Sequence, residues 1–372
     1  MASIFRRFTK KFFIISNVLV GLLFLVACYA YLFDPQRWWF LGLLTLGAFY
    51  IFLLLLIFII FWLFVKPGWS LISLITFVIA FQPLTQMIPL RFSSSFEKKK
   101  APQSLRVMTW NVEHFDILEH KTHPETKEKM LALVNEYEPD VACFQEMVGG
   151  DKSPETINYV PGIVQRLDFS DYHYAFNPKL DFDGNHHFGI IIFSKYPLIN
   201  KQTVSFYPND YNSIFEYADM VKDGDTMRIF NVHLQSLKFS ASNRRYIDQP
   251  EEADIKQSKS VLSKLKRGFI KRKIQSDRIR AEIDKSPYPV IVCGDFNDVP
   301  NSYAYKTIGG NMRNAFAEKG NGLGRTFSGI SPTLRIDNIF ADKKIDILQY
   351  NRVKIKLSDH FPVIADLQLK KN

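Results

Sequence analysis

The sequence has 372 residues, of which 47% are hydrophobic and 23% are charged, and its formal net charge is +10. Residues 1–100 hold 10 Lys and Arg against 2 Asp and Glu (+8), and residues 101–372 hold 37 against 35 (+2). The basic overall charge therefore does not indicate a nucleic-acid-binding surface on the larger part. Three cysteines, all in apolar segments, are expected to pack as small hydrophobes.

Three uncharged stretches at the start of the chain predict a membrane anchor. They are Phe12–Phe33, Trp38–Val65 and Pro67–Leu90, with 22, 28 and 24 residues. A helix needs about 20 apolar residues to cross a ~30 Å hydrocarbon core, whereas a cleaved signal peptide is shorter and cannot account for three. We expect residues 1–92 to form three transmembrane helices (12–33, 38–65 and 68–90) in a bacterial inner membrane or a plasma membrane. Two prolines near the end of the third, Pro83 and Pro89, leave its C-terminal limit open.

The orientation of the anchor follows from the basic residues around the spans. Four bases between Arg6 and Lys11 favour a cytoplasmic N-terminus under the positive-inside rule, and three spans then place the rest of the chain outside the cytoplasm. Arg91 and Lys98–Lys100 favour the opposite side. We expect the outside orientation.

After a Ser- and Lys-rich linker at 93–103, expected to be a solvated tether, residues 104–372 alternate between strand and helix patterns. The predicted helices are Thr126–Tyr137, Thr156–Leu167 and a long polar crossover at Ser240–Lys285. The predicted strands are Leu105–Trp110, Val141–Phe144, Tyr172–Phe176, Phe188–Ser194, Lys201–Phe206, Phe215–Val221, Met227–His233, Val290–Cys293, Arg335–Phe340, Ile345–Lys354 and Val363–Leu369. The crossover fits a solvated amphipathic helix, a basic surface for anionic headgroups or a polyanion, or both.

Six short polar motifs follow or interrupt the apolar runs. They read Thr109-Trp110-Asn111, Gln145-Glu146, Asn231-Val232-His233, Gly294-Asp295-Phe296-Asn297, Arg335-Ile336-Asp337 and Ser358-Asp359-His360. Strand ends are where a sheet can gather distant side chains into one pocket. Carboxylates, amides and histidines are the groups that hold a hard divalent cation and activate water against a phosphate ester.

The order and wording of these motifs resemble the endonuclease/exonuclease/phosphatase superfamily, from Ser104 to Leu369. Its members include deoxyribonuclease I, abasic-site endonucleases, neutral sphingomyelinases and inositol-phosphate phosphatases. The two helix–sheet halves fit the α/β fold expected of such a domain, a four-layer α/β sandwich of two packed β-sheets flanked by helices.

The resemblance also implies roles for individual residues. Glu146 would be the main ligand of Mg²⁺ or Mn²⁺, helped by Asn111 and Asp359. Asp295 and Asn297 would activate water and hold the phosphate, and His360, oriented by Asp337, would stabilise the transition state. His233 would contact the phosphate or protonate the leaving oxygen, and Asn231 and His187 would contribute to substrate binding.

Local alternatives remain open for several of these residues. Asn111 could be an ordinary turn residue, and Asp295 and Asn297 could form an Asx-turn, although that does not explain Gly294. His187 could be an exposed loop histidine.

The expected activity is that of a membrane-anchored Mg²⁺- or Mn²⁺-dependent phosphoester hydrolase, resembling phosphodiesterases and endonucleases, in which water attacks in line. Its partners would be a phosphoester substrate, either nucleic acid or a lipid or small phosphodiester, and the lipid bilayer, with no protein partner evident. One alternative is a lipid-headgroup or small-molecule phosphatase, including a sphingomyelinase-like enzyme. A non-catalytic binding module is disfavoured because Glu146, Asp295 and His360 are all retained.

Overall fold

The computed structural model describes residues 2–91, 95–119, 121–151, 156–177, 185–205, 214–237 and 255–370, without the side chains of residues 2–5, 205 and 255–257. The first part of the predicted crossover, 238–254, therefore lies outside the described residues, as does Phe206 at the end of one predicted strand.

The N-terminal region is a small helical bundle. Its helices are α1 (Ala2–Tyr29), α2 (Pro35–Trp38), α3 (Leu41–Val65), α4 (Ser70–Ile79) and α5 (Phe81–Met87). Two segments, Arg6–Leu32 and Leu41–Val65, are long and apolar enough to cross a membrane.

The predicted third membrane helix is not one continuous helix, because Pro67–Ile79 and Phe81–Met87 meet at an angle of 73°. Pro83 explains the bend: proline has no amide proton and its ring collides with the carbonyl four residues earlier, here that of Ile79. The freed Ile79 carbonyl instead accepts a hydrogen bond from the Tyr29 hydroxyl at 2.6 Å. The broken pair is either one bent span or a re-entrant segment.

The bundle buries polar groups beside an apolar cluster and exposes many large apolar side chains. Asn17 and Ser73 are fully buried, and the Ser73 hydroxyl donates to Asn17 Oδ1 at 2.7 Å. Leu22, Ile57 and Ile60 are each more than half exposed. This distribution fits helices that pack through small and polar residues and present their apolar sides to lipid.

The remainder of the chain contains two six-stranded sheets. Its strands are β1 (Leu105–Asn111), β2 (Val141–Gly150), β3 (Asp171–Phe176), β4 (His186–Ser194), β5 (Leu198–Ser205), β6 (Ile214–Lys222), β7 (Asp225–His233), β8 (Val290–Asp295), β9 (Arg313–Asn314), β10 (Asp337–Ala341), β11 (Ile345–Arg352) and β12 (Val363–Leu369). One sheet has the order β11-β12-β1-β2-β4-β3 and the other β5-β6-β7-β8-β10-β9.

Helices cover the outer faces of both sheets, except for the last one, which packs against β10 and β11. They are α6 (Glu125–Tyr137), α7 (Val160–Leu167), α8 (Ile255–Asp284), α9 (Tyr303–Gly309) and α10 (Ala315–Lys319). One apolar cluster joins the inner faces of the two sheets, for example Val107 and Cys143 with Ile229 and Cys293. Two further clusters lie between each sheet and its helices. The predicted four-layer α/β sandwich is confirmed.

The described part of the linker is bound to the sandwich and is not a free tether. Arg106, buried in β1, forms an ion pair with Asp366 at 2.7 Å, and its remaining donors reach the carbonyls of Lys98 at 2.7 Å and Glu97 at 3.2 Å. The Phe96 ring covers the guanidinium at 5.0 Å. A buried arginine needs acceptors for five N–H groups, and the linker backbone supplies some of them.

The sandwich packs directly on the bundle. Asn301 donates to the carbonyl of Pro83 at 2.9 Å, buried Arg335 donates to the carbonyl of Met87 at 3.2 Å, and the Tyr50 hydroxyl lies 3.1 Å from Ser331 Oγ. The Phe269 ring of α8 lies against Gly42 so closely that a Cβ atom there would be 2.8 Å away. The first half of α3 and part of α5 therefore contact the sandwich.

Candidate active site

Strand pairing gathers the predicted motifs at one edge of the sandwich. In the first sheet the parallel strands β1 and β2 place Asn111 beside Gln145. In the second sheet β7 and β8 place His233 beside Asp295, and antiparallel β10 places Asp337 on the other side of Asp295. The strand ends of both sheets meet at this edge, as the sequence predicted.

Asp295 is the centre of the site and is 1% exposed. Its carboxylate accepts hydrogen bonds from the Asn297 backbone N–H at 2.7 Å, from Asn297 Nδ2 at 3.1 Å and from Asn111 Nδ2 at 3.3 Å. His233 Nε2 lies 3.5 Å from the same carboxylate. Burial, together with the nearby Asp337 charge, raises the pKa of Asp295, which brings this carboxylate towards the range of a general base at neutral pH.

The turn of Asp295 into the pocket depends on Gly294. Its φ is +140°, and an added Cβ would lie 2.0 Å from the carbonyl oxygen of Val232 on the paired strand. Neither the backbone angle nor the space admits a side chain. The close approach of the two strands therefore explains why position 294 is glycine, which an Asx-turn alone does not.

We therefore expect Gly294→Ala to lower the free energy of unfolding by about 3 kcal/mol or more, the scale of overpacking combined with backbone strain. The matched control is Gly162→Ala in α7, where an added Cβ meets nothing within 4 Å and helix propensity predicts a small gain. Thermal unfolding of both variants in detergent measures the difference. Equal unfolding temperatures would contradict this role for Gly294.

His360 and Asp337 form a buried pair. His360 Nδ1 lies 2.9 Å from Asp337 Oδ2 and 3.1 Å from Oδ1, and the His360 Nε2 atom lies 3.7 Å from Asp295. Burial alone would lower the pKa of His360, but the charges of Asp337 and Asp295 outweigh it and hold that pKa well above the usual value. The geometry therefore favours an imidazolium whose free nitrogen lies beside Asp295.

Glu146 is brought to the site by an irregularity in β2. The pairing of β2 with β4 shifts between Phe144 and Met147, and Glu146 has a left-handed φ of +54°. β-bulges of this kind often lie next to active sites, where they redirect a side chain. The bulge therefore interrupts the regular alternation of side chains along β2 at Glu146.

Several acidic side chains surround Glu146 and form a set suited to a hard cation. Burial and then the neighbouring Asp359 charge raise the pKa of Glu146 to about 7. Burial and Asp359 also raise the pKa of Glu113, which accepts a hydrogen bond from the Asp359 backbone N–H at 3.0 Å. This crowding of carboxylates is unfavourable by itself, and a divalent cation would relieve it. Oxygen ligands of this kind fit Mg²⁺ or Mn²⁺.

A second group could also bind a cation by distance alone. Potential ligand atoms of Asp295, Asp337 and His360 all lie within 4.8 Å of one another. However, Asp337 already contacts the imidazole of His360, and both side chains are buried. The set around Glu146 and Asp359 also borders the open pocket and could hold a cation there.

Two predicted substrate residues, Asn231 and His187, do not line the pocket. Asn231 is fully buried; its Nδ2 donates to the carbonyl of Ile191 at 3.0 Å and to Glu216 Oε1 at 3.0 Å, and its Oδ1 accepts from Gln145 at 2.7 Å. These bonds join the two sheets beneath the site. His187 contacts Asp151 at 3.0 Å and stacks on Phe176 at 4.3 Å, away from the pocket.

Sequence reasoning missed three residues that border the pocket. His114 Nδ1 lies 3.5 Å from Glu146, Glu113 adjoins Asp359, and Arg272 of α8 forms a buried ion pair with Asp298 at 3.1 Å. The first two directly follow Asn111-Val112, and this adjacency was the available signal.

The pocket itself has a volume of about 370 Å³, within the range of small-molecule sites. Its polar side is formed by predicted site residues, namely Asn111, Glu146, His233, Asp295, Asn297, Asp359 and His360. Apolar residues also line the pocket, including Leu46 of α3 and Ile330.

Comparisons with known proteins agree with this architecture. A family model described as Endonuclease/Exonuclease/phosphatase family matches residues 108–360, and a model described as a domain of unknown function (DUF8431) matches residues 10–87. No curated protein sequence matches the chain.

Three solved structures illustrate the shared fold. An endonuclease/exonuclease/phosphatase from Beutenbergia cavernae has a TM-score of 0.52 and 19% identity, covering 72% of each chain. The human Nocturnin catalytic domain with bound sulfate anion has a TM-score of 0.50 and 17% identity, covering 73% of this chain and 97% of that one. D. rerio TDP2 complexed with single strand DNA product has a TM-score of 0.50 and 15% identity, covering 71% of this chain and 99% of that one.

Proposed function

Because the chain belongs to the endonuclease/exonuclease/phosphatase family, whose model matches more than half of its residues, we propose that it is a membrane-anchored Mg²⁺- or Mn²⁺-dependent phosphoester hydrolase. One observation carries the proposal: Asp295 receives hydrogen bonds from two site asparagines and lies within 3.7 Å of both His233 and His360. A base, two potential proton donors and a cluster of acidic ligands thus border one pocket.

The site residues would bind the cation and activate the attacking water. Glu146, Asp359 and Asn111 would hold the cation, which when bound polarises a phosphate oxygen and lowers the pKa of water. Asp295, with its raised pKa, would accept a proton from the attacking water, while the amide of Asn297 fixes its carboxylate.

The two histidines would act on the phosphate. His360, held as an imidazolium by Asp337, would donate to the phosphoryl oxygen on which negative charge develops. His233 is 1% exposed, lies on the other side of Asp295 from Asp337, and would protonate the leaving oxygen.

A phosphodiester substrate is our first candidate. The fold neighbour complexed with single strand DNA product makes nucleic acid one form to test. A lipid headgroup or small phosphoester is the alternative, supported by the near-neutral charge of residues 101–372. Retention of Glu146, Asp295 and His360 argues against a non-catalytic binding module.

The test is hydrolysis of bis(p-nitrophenyl) phosphate, plasmid DNA, RNA and phospholipid vesicles by the full chain in detergent or vesicles. Activity restored by Mg²⁺ or Mn²⁺ after EDTA treatment is expected. Absence of hydrolysis of every substrate with either metal would overturn the proposal.

For the anchor, we propose that the sandwich lies outside the cytoplasm. Lys10, near the start of α1, stacks on Trp69 at 5.8 Å, and Phe13 contacts Phe61 near the end of α3. The sandwich contacts the opposite ends of these helices, for example Lys306 beside Tyr31. The basic N-terminus and the sandwich would thus be on opposite sides of a bilayer, in agreement with the positive-inside rule.

Fusions at Asn372 test this orientation in a bacterial host. An alkaline phosphatase fusion should be active and a green fluorescent protein fusion should be dark, whereas a control fusion after Lys66 should show the reverse. Fluorescence at Asn372 with an inactive phosphatase fusion would refute the outside placement, and it would leave the enzyme assignment untouched.

A further inference from the structure

A residue of the membrane anchor lines the pocket that contains the site residues. Leu46, in the first half of α3, lines it together with the apolar residues Ile117, Leu118, Leu237, Ile330 and Leu334. The same pocket is lined by the carboxylates and histidines of the site, and also by Asp116, Arg272 and Asp298. One pocket therefore combines a polar wall suited to a phosphate with an apolar wall that is continuous with a membrane anchor.

The position of Leu46 along the anchor sets the depth of the pocket. The hydroxyl of Thr45 donates to the carbonyl of Ala27 at 3.3 Å, so Leu46 lies near the level of Ala27. Ala27 is five residues before the end of the apolar segment Arg6–Leu32, or roughly 7.5 Å at 1.5 Å per residue. Leu46 therefore lies within the apolar part of the anchor, and the pocket that it lines borders the part of α3 that would face lipid.

A loop of the sandwich reaches still further along α3. The Tyr50 hydroxyl lies 3.1 Å from Ser331 Oγ, and Tyr50 is one helical turn beyond Leu46. Ile330, beside Ser331, is 43% exposed, and Leu118 on the pocket rim is 93% exposed. Leu118 and Ile330 line the same pocket as Leu46, and contact with lipid would remove the cost of exposing these two aliphatic side chains to water.

We propose that the substrate is a membrane phospholipid whose headgroup phosphodiester enters the pocket sideways from the bilayer while its acyl chains follow the apolar wall from Leu46 to Ile330. This inference rests on the proposed hydrolase function and names its substrate class. A nucleic acid would instead have to bring a polyanion against a bilayer surface and an apolar wall, neither of which attracts it.

The reaction balances as a hydrolysis. The oxygen of water bonds to phosphorus, one phosphorus–oxygen ester bond breaks, and the departing oxygen takes up a proton. The products are one alcohol and one phosphomonoester. The phosphomonoester is either a soluble phosphorylated headgroup or a phosphorylated lipid that stays in the bilayer, and the assay below reads both.

The experiment compares lipid and soluble substrates with the same full-length enzyme. The enzyme is reconstituted into vesicles of phosphatidylcholine, phosphatidylethanolamine and phosphatidylglycerol with Mg²⁺ or Mn²⁺, and both classes of phosphomonoester are measured. Bis(p-nitrophenyl) phosphate serves as the soluble substrate. The variants are Leu118→Glu and Ile330→Glu, and the control is Ile199→Glu, an exposed residue on β5 outside the pocket.

We expect metal-dependent turnover of vesicle lipid in the parent enzyme. Each pocket variant should lose about tenfold more activity on lipid than on the soluble ester, the equivalent of one lost aliphatic contact, and Ile199→Glu should change neither. Hydrolysis of the soluble ester without lipid turnover would overturn this inference but leave the proposed function standing. Equal losses on both substrates would also overturn it, and failure on every phosphoester would overturn both.

Discussion

Glu146→Gln is expected to lower metal-stimulated hydrolysis by at least about 10²-fold, since even residues that only orient a metal ligand cost 10–100-fold when removed. The substitution keeps the shape of the side chain and removes the charge that would bind the cation. Burial and Asp359 already raise the pKa of Glu146 to about 7, so removal of the charge relieves repulsion between carboxylates. The fold should therefore be retained while turnover is lost.

Two measurements separate metal binding from general damage. Calorimetric titration with Mn²⁺ should show binding to the parent enzyme and a much weaker signal for Glu146→Gln. Glu136→Gln, on the exposed side of α6, is the matched control and should leave both binding and turnover unchanged. Near-parent rates of Glu146→Gln at millimolar Mg²⁺ would refute the assignment of Glu146 as the main ligand.

Most of the predicted site residues border one pocket because the polar motifs directly follow apolar strands, and the strand ends meet there. Asn111 and Asp295 end β1 and β8, one in each sheet, and the packing of the two sheets brings their side chains within 3.3 Å. Asn231 is an exception. It shares a strand face with His233 but lies two residues, or roughly 7 Å, further from the edge, and there it bonds the two sheets to each other.

Other features depend on backbone geometry that periodicity does not encode. His114 and Glu113 reach the pocket through a short helical turn at Glu113–Glu119 with left-handed angles, which no apolar pattern marks. The bend after Ile79 depends on where Pro83 falls relative to a single carbonyl. Leu46 reaches the pocket only because the sandwich packs on α3. Neither the sequence of the anchor nor that of the sandwich indicates this contact by itself.

His360→Ala is expected to lower turnover by at least about 10²-fold, the scale of a positioned acid–base group. Asp337→Asn should also lower turnover, because the carboxylate 2.9 Å from His360 Nδ1 holds the ring in its charged form. Asp346→Asn, an exposed carboxylate paired with Arg313 and Lys370, is the control and should have no effect on turnover.

The double variant decides whether the pair acts as one unit. Asp337 would act on the phosphate only through His360, so adding Asp337→Asn to His360→Ala should cost little more than His360→Ala alone. The thermal unfolding of all three variants must be measured alongside, because both side chains are buried and a loss of folded protein would imitate a loss of turnover. If the two losses in turnover per folded enzyme multiply fully, then His360 and Asp337 act independently. Asp337 would then have a structural role, in agreement with the hydrogen bond from its backbone N–H to Thr326 Oγ1.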